Sequence, residues 1–159
     1  MSMKREVVSI YVDNKANVLS RVVSLYGRRG FNIDSLTVSA TNDPDVSRIT
    51  IVFTGDTITI QQIVAQTEKL EVVRGIKILD SRKSFFRELL MVKVKAGKEQ
   101  RSEIKEIVDI YRAKIINLSH DTMVLEIIGN PDKLEGFLAM LEDYEILDIC
   151  RTGITGIEK

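Results

Sequence analysis

The chain alternates β-branched stretches with amphipathic stretches of helical period, and it does so twice. Leu19, Val22, Val23 and Tyr26 stand at i, i+3, i+4, i+7; Ile104, Ile107, Val108 and Tyr111 repeat the spacing and end on the same residue type. Ile60, Ile63, Val64 and Thr67 form a second stripe, answered by Leu134, Phe137, Leu138 and Leu141. Each stripe predicts a helix that buries one face. A repeat of this kind fixes the architecture before any detail: two copies of one small α+β unit. Such pairs more commonly make binding or regulatory proteins than catalysts.

The residues between the stripes fill in the first unit. Glu6–Val12 is rich in β-branched residues and predicts a strand. Asp13-Asn14-Lys15-Ala16-Asn17 is polar and turn-like. A helix from about Val18 ends near Arg28-Arg29-Gly30, where basic residues and then glycine suit a helix C-terminus. Phe31–Ala40 predicts a second strand. Thr41–Asp45 is a turn cluster, with Pro44 barred from a central strand. Val46–Phe53 alternates as a third strand, and Gly55-Asp56-Thr57 breaks it. Thr59 with Gln62 predicts a capping box for the second helix, and Glu71–Leu79 returns as a fourth strand. The order β-α-β-β-α-β is ferredoxin-like. It predicts a four-stranded antiparallel sheet with both helices on one face, the other face and the edge being free to pair.

Asp80–Ser84, short and charged, reads as a linker, after which the pattern restarts. Strand Glu88–Ala96, a turn at Gly97, helix Glu99–Arg112, and strands Lys114–Ser119 and Met123–Ile128 follow. Asn130 as N-cap and Pro131 at the first helical position start a last helix, expected to run to about Asp143. Ile146–Arg151 is the final strand, and Gly153–Gly156 a loose tail. The expectation is an α+β chain of two tandem ferredoxin-like domains, residues 1–79 and 85–159.

Composition narrows the function classes. The 159 residues divide into units of about 75–80, near the lower end of self-sufficient cores. Net charge is zero, so no global field draws the chain to nucleic acid or an anionic membrane. Cys150 is the only cysteine, which allows no disulfide within the chain and suits a reducing compartment. The start, MSMKREVVSI, has no signal-peptide core, and no apolar run reaches membrane-spanning length. A cytoplasmic protein is expected.

Catalytic signatures are sparse. His120, the one histidine, falls in a Ser119-His120-Asp121 turn and reads as a polar turn residue. Cys150, between Ile149 and Arg151 on a predicted strand, reads as an unreactive core thiol. No zinc spacing, phosphate loop or dinucleotide fingerprint is present. Glu103, Glu106 and Asp109 lie at helical surface spacing. No metal site and no catalytic residue is expected. The junction at Asp13–Asn17 stands out instead. A helix N-terminus there presents free N–H groups and a positive dipole end that suit a carboxylate. Asn14, Asn17 and Asn32 add amides that both donate and accept, as a zwitterion needs. The same residues also read simply as a turn and N-cap, with Asn17 tolerating left-handed backbone.

Asn14 with Leu19-Ser20-Arg21-Val22, Arg29-Gly30-Phe31-Asn32-Ile33-Asp34-Ser35-Leu36-Thr37-Val38, and Asp43-Pro44 with Ser47-Arg48-Ile49-Thr50-Ile51-Val52 closely resemble the small regulatory subunits of acetolactate synthase. Glu88–Val94 and Arg151-Thr152-Gly153 continue the match, which spans nearly the whole chain. The resemblance implies an ACT domain that binds effector and dimerises, followed by an ACT-like domain. It implies a non-catalytic subunit of branched-chain amino acid biosynthesis that binds and activates a large catalytic subunit. Thiamine diphosphate, magnesium and FAD would belong to that partner and not to this chain. Feedback by valine or another branched-chain amino acid would act at Asn14, Asn17, Val18, Leu19, Asn32 and Ile33. Asn32 would come from one protomer of a homodimer and the loop from the other. Where the family usually has glycine, this chain has Asn17. Asparagine can keep the backbone shape, but its side chain would crowd a carboxylate. Weak or absent valine binding is the expectation. A free-standing amino-acid sensor acting on another enzyme or a transcription regulator, and a small enzyme on the same fold, are the competing classes.

Overall fold

A computed structural model describes residues 2–159. The first repeat folds in the expected order: β1 (Lys4–Asp13), α1 (Val18–Arg28), β2 (Ile33–Ala40), β3 (Val46–Gly55), α2 (Thr57–Glu68) and β4 (Val73–Ile78). The strands lie in the order β2-β3-β1-β4, each neighbouring pair antiparallel. The second repeat gives β5 (Ser84–Lys95), α3 (Lys98–Ile110), β6 (Lys114–Leu118), β7 (Thr122–Gly129), α4 (Pro131–Met140) and β8 (Ile146–Arg151), in the antiparallel order β6-β7-β5-β8. A last strand, β9 (Thr155–Glu158), pairs with β5. The tandem ferredoxin-like fold read from the sequence is the fold observed.

Alternation along the strands explains the two cores. Val8, Ile10 and Val12 of β1 and Ile49, Ile51 and Phe53 of β3 face α1 and α2, meeting Val18, Val22, Leu25, Tyr26, Ile60 and Ile63. Tyr26, Phe31 and Phe53 stack edgewise, with centroids 5.0–6.2 Å apart. Gly55 is required by this packing, since a Cβ there would sit 2.8 Å from the Phe31 ring. In the second unit Leu90, Val92, Val94, Met123, Leu125 and Ile127 meet Ile104, Ile107, Val108, Leu134, Phe137 and Leu141. Burying each such side chain stabilises the fold by about 1.5–3 kcal/mol against leaving it in water.

The duplicated helices α1 and α3 end identically. Gly30 N–H donates to Gly27 and Phe31 N–H to Tyr26; Arg112 N–H donates to Asp109 and Ala113 N–H to Val108. This double closure needs a left-handed residue after the helix. The first copy uses Gly30 at φ 76°, the second Arg112 at φ 56°.

Several expectations are corrected. The α1 stripe is rotated: Leu19 is 38% exposed, and Val18 and Leu25 take the buried positions. Helix α2 starts two residues before Thr59, because the Asp56 carboxylate accepts from Thr59 N–H and caps the helix itself. Helix α4 stops at Met140, short of Asp143. Strand β5 begins at Ser84, so the predicted linker is shorter than expected. Cys150 is exposed and is not a core residue. The tail is not loose: Ile154 is buried and Thr155–Glu158 is a strand.

The chain divides into two compact units. One runs up to Phe85 and takes back Ile154–Lys159, and the other is Phe86–Gly153. The last six residues, read from sequence as the end of the 85–159 domain, pack with the first unit. They also change the first sheet. Its helix-free face carries Val7, Ser9, Thr50 and Val52, all buried, and Arg48 on that face donates to the Gly156 carbonyl. The face expected to be free to pair thus meets the chain's own C-terminal segment.

Candidate functional site

The Asp13–Asn17 loop is fastened on two sides. Asp13 N–H donates to the Val72 carbonyl (2.9 Å) and Asn14 N–H to Asp45 (2.8 Å). The Asn14 side chain donates from Nδ2 to the Pro44 carbonyl (3.0 Å) and accepts from Ser47 Oγ at Oδ1 (3.1 Å). The loop and the β2–β3 turn are thus one unit. The turn is fixed in its own right: Asp45 N–H donates to Asp43 Oδ1, and Thr41 Oγ1 donates to Val46. Arg74 at the start of β4 donates from Nε to Asp13 Oδ1 at 2.7 Å. That hydrogen bond holds the Asp13 carboxyl below its usual range and strengthens the cationic form of Arg74, to which Asp43 and Asp45 also contribute.

Asn17 ends the loop at φ 68°, ψ 0°, in the left-handed region, and its side chain makes no capping bond to α1. Asparagine adopts this conformation more readily than other non-glycine residues. The backbone shape a glycine would give is therefore present. Asp56 and Asn130 cap α2 and α4 with their side chains, and Gln100 accepts from Gly97 N–H ahead of α3. Helix α1 has no such group, so its first-turn N–H donors are left open at its positive end.

The remaining site residues divide in two. Val18 is buried in the core and Ile33 packs against it, so they offer main chain rather than side chain. Leu19 and Asn32 are exposed. Asn32 follows the closure of α1, while Asn14 and Asn17 precede the helix. With 11 residues in α1, the two ends stand about 16 Å apart. One chain does not bring them together on a molecule the size of an amino acid. Reasoning from sequence missed Arg74, and it saw Pro44 and Ser47 only as parts of a motif. The signal available was that motif itself, Asp43-Pro44 with Ser47, whose two ends close on Asn14.

Elsewhere, His120 is exposed in its turn, where its carbonyl accepts from Arg101. No group of three potential metal ligands occurs among the described residues. No described helix is long and apolar enough to cross a membrane.

Residues 8–74 match the AHAS small subunit-like ACT domain, and residues 87–159 match the family described as small subunit of acetolactate synthase. The fold is similar to the crystal structure of the acetolactate synthase small subunit from Thermotoga maritima, with a TM-score of 0.87, 37% identity and 98% of each chain covered. A probable acetolactate synthase small subunit of Archaeoglobus fulgidus is 41% identical over 150 residues, covering 94% of this chain and 93% of that one. The chain belongs to the acetolactate synthase small-subunit family. The small subunit of Mycolicibacterium smegmatis is 40% identical over 154 residues, covering 96% of this chain and 89% of its own. The ACT match falls within the first unit and contains the whole Asp13–Asn17 loop, Asn32 and Ile33. The second match takes in the Phe86–Gly153 unit together with β9.

Proposed function

We propose that this small subunit is non-catalytic, binds the large thiamine-diphosphate-dependent subunit of acetolactate synthase, raises its activity and conveys feedback by a branched-chain amino acid. The observation that carries the effector site is the uncapped start of α1, presented by Asn17 and held by Asn14, with Asn32 at the far end of the same helix. These groups meet on one ligand across a homodimer, where the loop of one copy faces Asn32 of the other. The effector carboxylate takes the helix N–H donors and the asparagine amides hold its remaining polar groups.

Feedback then works by linkage. The effector shifts activity only as far as it prefers one state of the holoenzyme, and a site shared by two protomers supplies that preference, since a small rotation moves its halves apart. The Asn17 side chain is exposed and unbonded, so it is free to crowd a carboxylate; valine accordingly binds weakly. Calorimetry with valine, leucine and isoleucine, together with sedimentation, tests the reading. A dimer with measurable affinity for one of the three supports it, and a stable monomer with none overturns the shared site.

A further inference from the structure

On the helix-free face of the first sheet, β1, β3, β4 and β9 line an open pocket of about 110 Å³. Ser9, Tyr11, Arg48, Lys77 and Glu158 bring its polar groups, and the exposed Ile157 lines its edge. All belong to the first unit, and none belongs to the Asp13–Asn17 loop.

Arg48 lies over the Tyr11 ring, its Cζ 5.5 Å from the centroid. Its Nε donates to Ser9 Oγ at 2.8 Å, and one Nη2 proton goes to the Gly156 carbonyl. A guanidinium has five N–H donors. Three therefore have no acceptor among the described residues. Ser9 is 0% exposed, and its hydroxyl accepts from Arg48 without a described acceptor for its own proton. Arg48 is only partly buried and lines the pocket, so these guanidinium protons are open to an occupant or to solvent. Across the pocket Lys77 Nζ stands 3.5 Å from Glu158 Oε1. That pair balances itself and leaves the Arg48 charge in excess.

We infer that this pocket is a second ligand site, for a compact monocarboxylate. Its oxygens accept from Arg48 and Lys77, taking guanidinium protons that no described acceptor holds, and its short apolar end meets Ile157. The volume sets the size: a cavity of about 150 Å³ takes benzene, so this one takes a molecule of about four to six heavy atoms. An added ammonium would meet Arg48 and Lys77 and is disfavoured, because Glu158 is already engaged. One wall is β9, so the occupant also bridges the C-terminal strand to the sheet.

Heteronuclear NMR titration of the full chain with sodium propionate, against sodium chloride at equal ionic strength, tests this. Saturable shifts are expected at Ser9, Tyr11, Arg48 and the β9 amides, with a dissociation constant of about 1 mM, as befits so small a ligand. Lys77→Met should weaken propionate about tenfold, since it removes a charged donor and exposes Glu158. Glu158→Gln should tighten it about threefold, and Asn17→Gly should leave it unchanged, which separates this site from the helix terminus. Alanine, of similar size with an added ammonium, should bind at least about tenfold more weakly. Shifts no larger than those in chloride, equal affinity in Lys77→Met, or tighter binding of alanine would each overturn the assignment.

Discussion

The side chain of Asn14 donates to the main-chain carbonyl of Pro44 at 3.0 Å and accepts from Ser47 at 3.1 Å. One amide thereby ties the start of α1 to a turn far along the chain. Asn14→Ala removes both bonds at an exposed site and should cost about 1 kcal/mol in urea unfolding. Its effect on the effector should be larger than on stability, because the loop loses its anchor. Calorimetry beside the unfolding curve separates the two. Unchanged effector affinity would detach Asn14 from the site.

Asn17 supplies a left-handed residue without glycine. Asn17→Gly relieves backbone strain and frees the unfolded chain by comparable amounts, so stability should move by no more than about 0.5 kcal/mol. Branched-chain amino acid affinity should rise, since the crowding side chain is gone. Asn17→Val, β-branched at φ 68°, should cost about 1–3 kcal/mol. Equal affinity in the glycine variant would contradict the crowding argument.

Arg112 does in the second unit what Gly30 does in the first, at φ 56° against φ 76°. Arg112→Gly should therefore stabilise the chain by about 0.5–1 kcal/mol, read as a higher urea midpoint with an unchanged slope. The parallel was legible as a repeat, but the glycine was visible only in the first copy.

That difference shows what sequence carries. Alternation in β1 and β3 and the stripes in α2, α3 and α4 named their core faces, because burial on one side leaves a periodic trace. The α1 stripe was off by one position, since Val18 and Leu19 are both apolar and only packing decides between them. The capping of α2 by Asp56 competed with an equally well-spaced Thr59. Strand β9 and the exposure of Cys150 depend on pairing between distant segments, which no local period records. At the site, the asparagines were legible by type and position. Arg74 was not, because its partner Asp13 is reached only through the fold.

Glu88, 5% exposed, receives Arg151 through Nε at 2.8 Å and Nη2 at 3.0 Å, and Glu135 takes Nη1. These carboxylates, Glu88 foremost, hold Arg151 more firmly in its cationic form. Arg151→Met strands a buried carboxylate and should destabilise the chain by about 3 kcal/mol. Adding Glu88→Leu should recover most of that loss. A single variant as stable as the wild type would contradict the role of the pair.

The Tyr144 hydroxyl donates to Glu103 Oε2 at 2.7 Å, and this bond pushes the phenol up from 10.0 to about 12. A raised pKa stabilises the fold below the unfolded value and fades as pH rises through the folded one. The contribution should be complete below pH 10 and lost towards pH 12. Burial also raises the Tyr26 phenol, so ultraviolet titration should show more than one late tyrosine, of which only Tyr144 moves down in Glu103→Gln. No movement would place the cause elsewhere.

The proposed subunit acts only through a catalytic chain. The direct measurement is acetolactate formation by a purified acetolactate synthase large subunit as this protein is added. The rate should rise and saturate at a fixed ratio of the two chains, and they should co-sediment. A rate unchanged at every ratio, with the chains sedimenting apart, would contradict it.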